Sequence, residues 1–196
     1  VQSDQNGIPA LLGQDEDMAN EVEVKIEVEL SEIPAIISRL ESIGFEQTTP
    51  RTEEKNLLFD FANGTLQQKG CALRLRQFGP KTILTYKGAV KAHDHLKIRE
   101  EIESGAEDFD SIAKIFERLG LLPRFRYEKI RQKYRSQTDS SQIEICVDET
   151  PVGCFVEIEG SEEDIERTAS ALGWNKSQFL KVNYTELYRK KGLGSV

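Results

Sequence analysis

From Glu21 the chain alternates charged and aliphatic residues without a break. GluValGluValLysIleGluValGluLeu over residues 21–30 has a period of two, the signature of a strand with one apolar face. Ser31 is expected to cap a helix with the stripe Ile33, Ile36, Ile37 and Leu40, stopped at Gly44. Strand patterns follow at 53–61 and 71–77, and Gly79–Pro80 turns the chain into 82–87, which predicts an antiparallel hairpin. Another alternating run spans 96–104, and a helix fits 109–119 with the stripe Ile112, Ile115, Phe116 and Leu119 and a stop at Gly120. Strands at 124–134, 142–148 and 154–160 come next, with 148–153 as the last turn. Ser161 and Asp164 form a capping box for a helix to Gly173, Trp174 anchors it, and a final helical stretch carries Leu180, Tyr184, Leu187 and Tyr188. About eight strands in hairpin runs, interrupted by about four helices, predict an antiparallel α+β architecture.

Length and composition narrow this further. A chain of 196 residues holds one domain, at most two. Residues 1–17 show neither period and read as a leader or disordered tail; 18–190 form the domain, and 191–196 a loose C-terminus. No apolar run approaches the roughly 18 residues of a membrane span, and the first stretch lacks the basic and apolar regions of a signal peptide. Cys71, Cys146 and Cys154 lack metal-site spacing, which argues for a reducing, cytoplasmic setting. Cys146 and Cys154 flank the last turn as an ordinary reduced pair. His93 and His95 fall in a loop and read as solvent-exposed. A net charge of −8 repels long nucleic acids, so any phosphate recognition needs a local concentration of base. The expected partner is a small molecule, with the protein a monomer or homodimer.

Charges recur at i, i+2 in almost every strand: Glu21/Glu23/Lys25, Arg74/Arg76, Arg99/Glu101/Glu103, Lys129/Arg131/Lys133, Glu144 with Asp148, and Glu157/Glu159, with Lys87 at a strand end. This spacing puts each set on one face of its strand. A solvated face normally mixes in Ser, Thr, Gln and Asn; this one is almost wholly ionic, and its signs segregate by strand. Eight strands can close into a barrel, and an ionic interior needs partners for its charges. A polyphosphate and a divalent cation together satisfy both sets, because arginine forks grip phosphate and carboxylates grip hard cations. Phosphoryl transfer then needs mainly positioning and electrostatics.

The ordered set GluValGluValLys (21–25), AlaLeuArgLeuArg (72–76), ThrTyrLysGly (85–88), ArgGluGluIleGlu (99–103), GluLysIleArg (128–131), Asp148 and PheValGluIleGluGly (155–160) resembles the CYTH superfamily. These are the triphosphate tunnel metalloenzymes, which include class IV adenylate cyclase and thiamine triphosphatase. The resemblance implies an eight-stranded antiparallel β-barrel, or tunnel, with helices packed outside, binding a triphosphate with Mg²⁺ or Mn²⁺. It implies Glu21, Glu23, Glu157 and Glu159, with Asp148, as metal-side carboxylates. Lys25, Arg74, Arg76, Lys87, Arg99, Lys129 and Arg131 would cradle the triphosphate. Glu101 and Glu103 would orient the basic side chains or serve a second metal, and Lys181 would activate water or the leaving group. The expected activity is metal-dependent hydrolysis of inorganic tripolyphosphate or of a nucleoside or thiamine triphosphate. The alternatives are cyclisation of ATP to cyclic AMP and pyrophosphate, and a non-catalytic polyphosphate- or nucleotide-binding module.

Overall fold

A computed structural model of the chain describes residues 20–136 and 143–193; residues 1–19, which include the expected leader, lie outside it. Eight strands are present: β1 (Asn20–Val28), β2 (Phe45–Phe61), β3 (Ala72–Phe78), β4 (Lys81–Lys87), β5 (Lys97–Ala106), β6 (Leu121–Ser136), β7 (Glu144–Thr150) and β8 (Gly153–Glu159). They close antiparallel into a barrel of order β1-β5-β4-β3-β2-β6-β7-β8. Between them run α1 (Ile33–Ser42), α2 (Thr65–Gln68) and α3 (Phe109–Arg118), followed by α4 (Glu162–Ala171) and α5 (Tyr184–Lys190). The expected eight-stranded antiparallel tunnel with helices outside is the fold observed. No helix among the described residues is long and apolar enough to cross a membrane.

Alternation explains the closure. The outward aliphatics of β1, β7 and β8 (Val24, Ile26, Ile145, Val147, Val156, Ile158) are buried under Ile33 and Leu40 of α1 and Ile165 and Ala169 of α4. Burying each such side chain contributes roughly 1.5–3 kcal/mol, and this leaves the alternate charged positions facing inward. A second cluster joins Phe59, Leu75 and Leu121 to α3. A third, of Phe125, Tyr127, Val152, Phe155, Tyr184 and Tyr188, packs where α5 meets the barrel end.

Local departures from the sequence pattern have identifiable causes. Strand β2 begins well before residue 53, and its pairing with β6 slips around Pro50, where the missing N–H breaks the ladder. Ser31 sits inside a 3-10 turn (Leu30–Glu32) and does not cap α1; the Glu32 carboxylate accepts the Glu29 N–H at 2.8 Å instead. In α3 the packed stripe is Phe109, Ile112, Ala113 and Phe116, while Ile115 and Leu119 are 51% and 67% exposed. The helix has turned to cover two phenylalanines in part, Phe116 meeting Phe59 edge-on at 5.2 Å. Ser161 accepts the Asp164 N–H as expected, and Trp174 packs on the first cluster. The β7–β8 hairpin closes through Gly153 at φ +138°, where a Cβ would press to 3.3 Å from the Phe155 ring. In that hairpin Cys146 faces Glu157 while Cys154, opposite Glu149, packs in the outer core, so the two thiols lie on opposite faces of the sheet. Lys191–Leu193 do not hang loose: Gly192 N–H reaches Arg189 O at 3.0 Å and Leu193 N–H reaches Tyr188 O at 2.9 Å, a Schellman closure of α5.

Candidate active site

The lumen is a cavity of about 1350 Å³ lined by the i, i+2 charges of the strands and, at the α5 end, by Phe125, Tyr127 and Tyr184. Its two walls differ in sign. On one side Glu23 of β1 stands beside Glu159 of β8, which stands beside Glu144 of β7, so three adjacent strands present an acidic seam, with Glu21 next along β1. β3, which carries Arg74 and Arg76, lies four strands from β8 in either direction and therefore directly across the lumen. Lys129 and Arg131 of β6, Lys87 of β4, and Lys97 and Arg99 of β5 fill the wall between.

Every buried cation is held by a carboxylate. Lys87 donates to both oxygens of Glu21 at 2.8 Å and reaches Glu101 at 2.5 Å; Arg99 reaches Glu21 at 3.2 Å. Lys97 binds Glu23, and Glu157 is gripped by Lys25 and Arg131. Asp148 is fully buried and accepts from Lys129 at 2.9 Å, from Arg131 at 2.7 and 2.6 Å, and from the Tyr184 hydroxyl at 2.5 Å. Lys25 and Lys129 each sit 4.3 Å from the centre of the Tyr184 ring, a cation–π arrangement that covers both ammonium groups. Of the five carboxylates expected as metal ligands, Glu159 has no ion-pair partner among the described residues; Glu21 and Glu23 lie beside it at the acidic seam but are held by Lys87, Arg99 and Lys97, and Asp148 and Glu157 are embedded among Lys25, Lys129 and Arg131.

Titration singles out Glu159: burial works against the charge on Glu21 and Glu23 as well, but Lys87 holds Glu21 and Lys97 holds Glu23 below the usual carboxylate range. Burial raises Glu159, and Glu21, Glu23 and Glu144 raise it further, to about 7; no ion pair neutralises it among the described residues. Burial and a hydrogen bond with Glu21 push Glu101 up to about 8. Burial also works against the charge on Glu54, but Lys129, Arg131 and Arg76 outweigh it and hold that carboxyl well below the usual range. Burial lifts the Cys146 thiol, which faces the lumen, to about 12, so it stays protonated.

The donor chemistry of the seam suits a hard divalent cation: it is all carboxylate oxygen, and an ion there would relieve the mutual repulsion that lifts Glu159. No three acidic, His or Cys side chains among the described residues converge as a finished cage, since lysine and arginine already hold Glu21 and Glu23. Lys181 is not brought to the lumen. Its ammonium donates to the His93 carbonyl at 2.9 Å on the exposed outside, because Leu180 bridges to Lys25 and turns its neighbour away. The His93 ring accepts the Leu96 N–H at 3.0 Å and lies partly covered beside Glu162, while His95 is exposed.

Four residues of the inward-facing network escape the sequence reading, two of them (Lys97 and Tyr184) lining the lumen and two (Glu54 and Thr85) fully buried behind it. Glu54 is buried in contact with Lys129, Arg76 and Arg131 at 3.5, 3.6 and 3.9 Å; the consecutive charges of residues 53–55 hide its alternation. Lys97 is signalled only as one step of two before Arg99. Thr85 lies in the ThrTyrLysGly motif but carries no charge to mark it. Tyr184 reads as helix packing, yet its hydroxyl ends on Asp148.

Residues 19–184 match the family model described as the CYTH domain. A protein of Methanocaldococcus jannaschii named "Putative adenylate cyclase" is 28% identical over 177 residues, covering 85% of this chain and 98% of that protein. Among solved structures, a "putative adenylate cyclase" from Vibrio parahaemolyticus aligns with a TM-score of 0.74 at 20% identity, over 85% of this chain and 96% of that one. A Hippeastrum protein, described as a "putative adenylyl cyclase" with a dominant triphosphatase activity, aligns at a TM-score of 0.64 and 19% identity, over 87% and 96% of the two chains.

Proposed function

The chain belongs to the CYTH family, and from that premise we propose that it is a metal-dependent enzyme that hydrolyses a triphosphate held along the barrel lumen. The observation that carries this reading is the pairing of an arginine wall with a carboxylate seam directly across the lumen of one closed barrel. Arg74, Arg76, Lys129 and Arg131 bind the phosphate chain, the arginines as planar forks and lysine as a compact charge. Glu101 contacts Lys87 at 2.5 Å and Arg74 at 3.6 Å and orients both. Glu21, Glu23 and Glu159 would hold Mg²⁺ or Mn²⁺, which when bound supplies charge neutralisation on phosphoryl oxygens. Asp148 and Glu157 serve the cradle by fixing Lys25, Lys129 and Arg131.

Cyclisation of ATP is the second reading, favoured by the name of the M. jannaschii relative. It would use the same cradle, with a ribose hydroxyl in place of water as attacking group. Product analysis separates the two. The protein is incubated with tripolyphosphate, thiamine triphosphate and ATP in Mg²⁺ or Mn²⁺, and products are resolved by ion-exchange chromatography. Orthophosphate release supports hydrolysis, cyclic AMP with pyrophosphate supports cyclisation, and binding without turnover leaves a polyphosphate-binding module.

A further inference from the structure

Three donors converge on a single carboxylate oxygen inside the arginine wall. Glu103 Oε1 accepts Arg76 Nη2 at 2.6 Å, the Thr85 hydroxyl at 2.7 Å and Arg74 Nη2 at 3.4 Å. Arg74 Nη2 also lies 3.3 Å from the Thr85 oxygen, so the three donors form one cluster. This is the environment a phosphoryl oxygen seeks, with charge-assisted bonds from two forks and one hydroxyl. Glu103 fills it incompletely. All of these contacts run through Oε1, and the buried Nε donors of both Arg74 and Arg76 have no hydrogen-bond partner among the described residues. A planar carboxylate using one oxygen leaves half of each fork open, and a tetrahedral phosphoryl group brings more oxygens to the same place. The two sides of the contact also differ in freedom. Thr85 is fully buried and Arg76 nearly so, whereas the Glu103 side chain is 42% exposed.

We infer that Thr85, with the forks of Arg74 and Arg76, forms a phosphoryl-oxygen pocket, and that Glu103 is the internal anion that occupies it until a phosphate displaces it. This deepens the triphosphate reading above and rests on it. Thr85 is then a substrate-binding residue that accompanies the basic cradle. Glu103 competes with substrate and does not assist it. Its cost to binding is offset by keeping two buried arginines paired while the lumen holds no phosphate.

The test is calorimetric titration of tripolyphosphate into the full chain in metal-free buffer, with folding of each variant checked by circular dichroism. Glu103→Gln removes the competing charge and keeps the shape, so it is expected to bind about tenfold more tightly, with a matching fall in KM. Thr85→Val is expected to bind about fivefold more weakly and Thr85→Ser to return to the wild-type value. If Thr85→Val does not fold, the Glu103→Gln result decides. Equal or weaker binding by folded Glu103→Gln overturns the inference, because a carboxylate that merely braces the arginines would not weaken binding by its presence. If the wild-type protein takes up no tripolyphosphate with or without Mg²⁺, the triphosphate reading itself fails. If the wild type binds but Glu103→Gln binds no tighter, only the placeholder role fails.

Discussion

Asp148→Asn discriminates between two roles for a fully buried carboxylate of the lumen. The substitution keeps the shape but removes the charge, and turns one acceptor into a donor aimed at groups that already donate. In the native protein that carboxylate holds the Lys129 ammonium, both sides of the Arg131 fork and the Tyr184 hydroxyl, all within 2.9 Å. Removing one partner of a buried ion pair costs about 3–5 kcal/mol. The lower end applies here, because Lys129 and Arg131 retain Glu54 at 3.5 and 3.9 Å and Arg131 retains Glu157. A chain of this size loses about 2–4 °C of Tm per kcal/mol, so about 3 kcal/mol corresponds to a fall of roughly 6–12 °C. The assay is thermal unfolding followed by circular dichroism in metal-free buffer at neutral pH, repeated with tripolyphosphate. The phosphate chain should recover part of the loss by neutralising the same cations. If Asp148 is instead chiefly a metal ligand, the metal-free Tm would stay within about 2 °C of wild type while the Mg²⁺ requirement rose. That outcome would refute the assignment of Asp148 to the cradle.

Other outcomes follow from the division of the lumen. Chelation with EDTA should abolish turnover yet leave the circular dichroism spectrum intact, since the outer aliphatic clusters involve no ion; full activity in excess chelator would remove the metal from the account. Arg74→Ala loses charge-assisted phosphate contacts of about 1.5–3 kcal/mol, so KM should rise about tenfold or more with a smaller fall in kcat; an unchanged KM in a folded variant would count against the cradle. Glu159 titrates at about 7 in the folded state against an ordinary value of 4.5. Folding therefore favours its protonated form, and its contribution to stability declines as pH rises from 4.5 to 7 without metal. Denaturant titrations across that window should show this slope reduced in Glu159→Gln and suppressed by Mg²⁺ in the wild type; identical slopes in both proteins would contradict the crowded seam.

Most strands were legible because they alternate a charge with an aliphatic residue, as in β1, β3 and β8, and period two carries both the strand and its orientation; the first half of β2 lacks that alternation and was missed. What one strand cannot reveal is its neighbour. The acidic seam depends on Glu23, Glu159 and Glu144 falling side by side, which is set by pairing across β1, β8 and β7. The same limit applies to Asp148 and Glu157: as acids in the right motifs they resemble metal ligands, and only the fold shows the lysines and arginines around them. Tyr184 was legible as an aromatic at helical spacing, but a ring buried in a core and a ring closing a tunnel share that spacing. Lys181 follows a segment whose direction is fixed by the bridge between Leu180 and Lys25, a long-range contact without a local signature. Glu54 was obscured by its charged neighbours Glu53 and Lys55.

The central claim is that one lumen holds a phosphate chain on its arginine wall and a divalent cation on its carboxylate seam. The most direct measurement is a crystal structure grown with tripolyphosphate and Mn²⁺, with the metal located from its anomalous signal. The account predicts manganese among Glu21, Glu23 and Glu159, and tripolyphosphate or its products against Arg74, Arg76, Lys129 and Arg131. Manganese at Asp148, or phosphate found only outside the barrel, would contradict it.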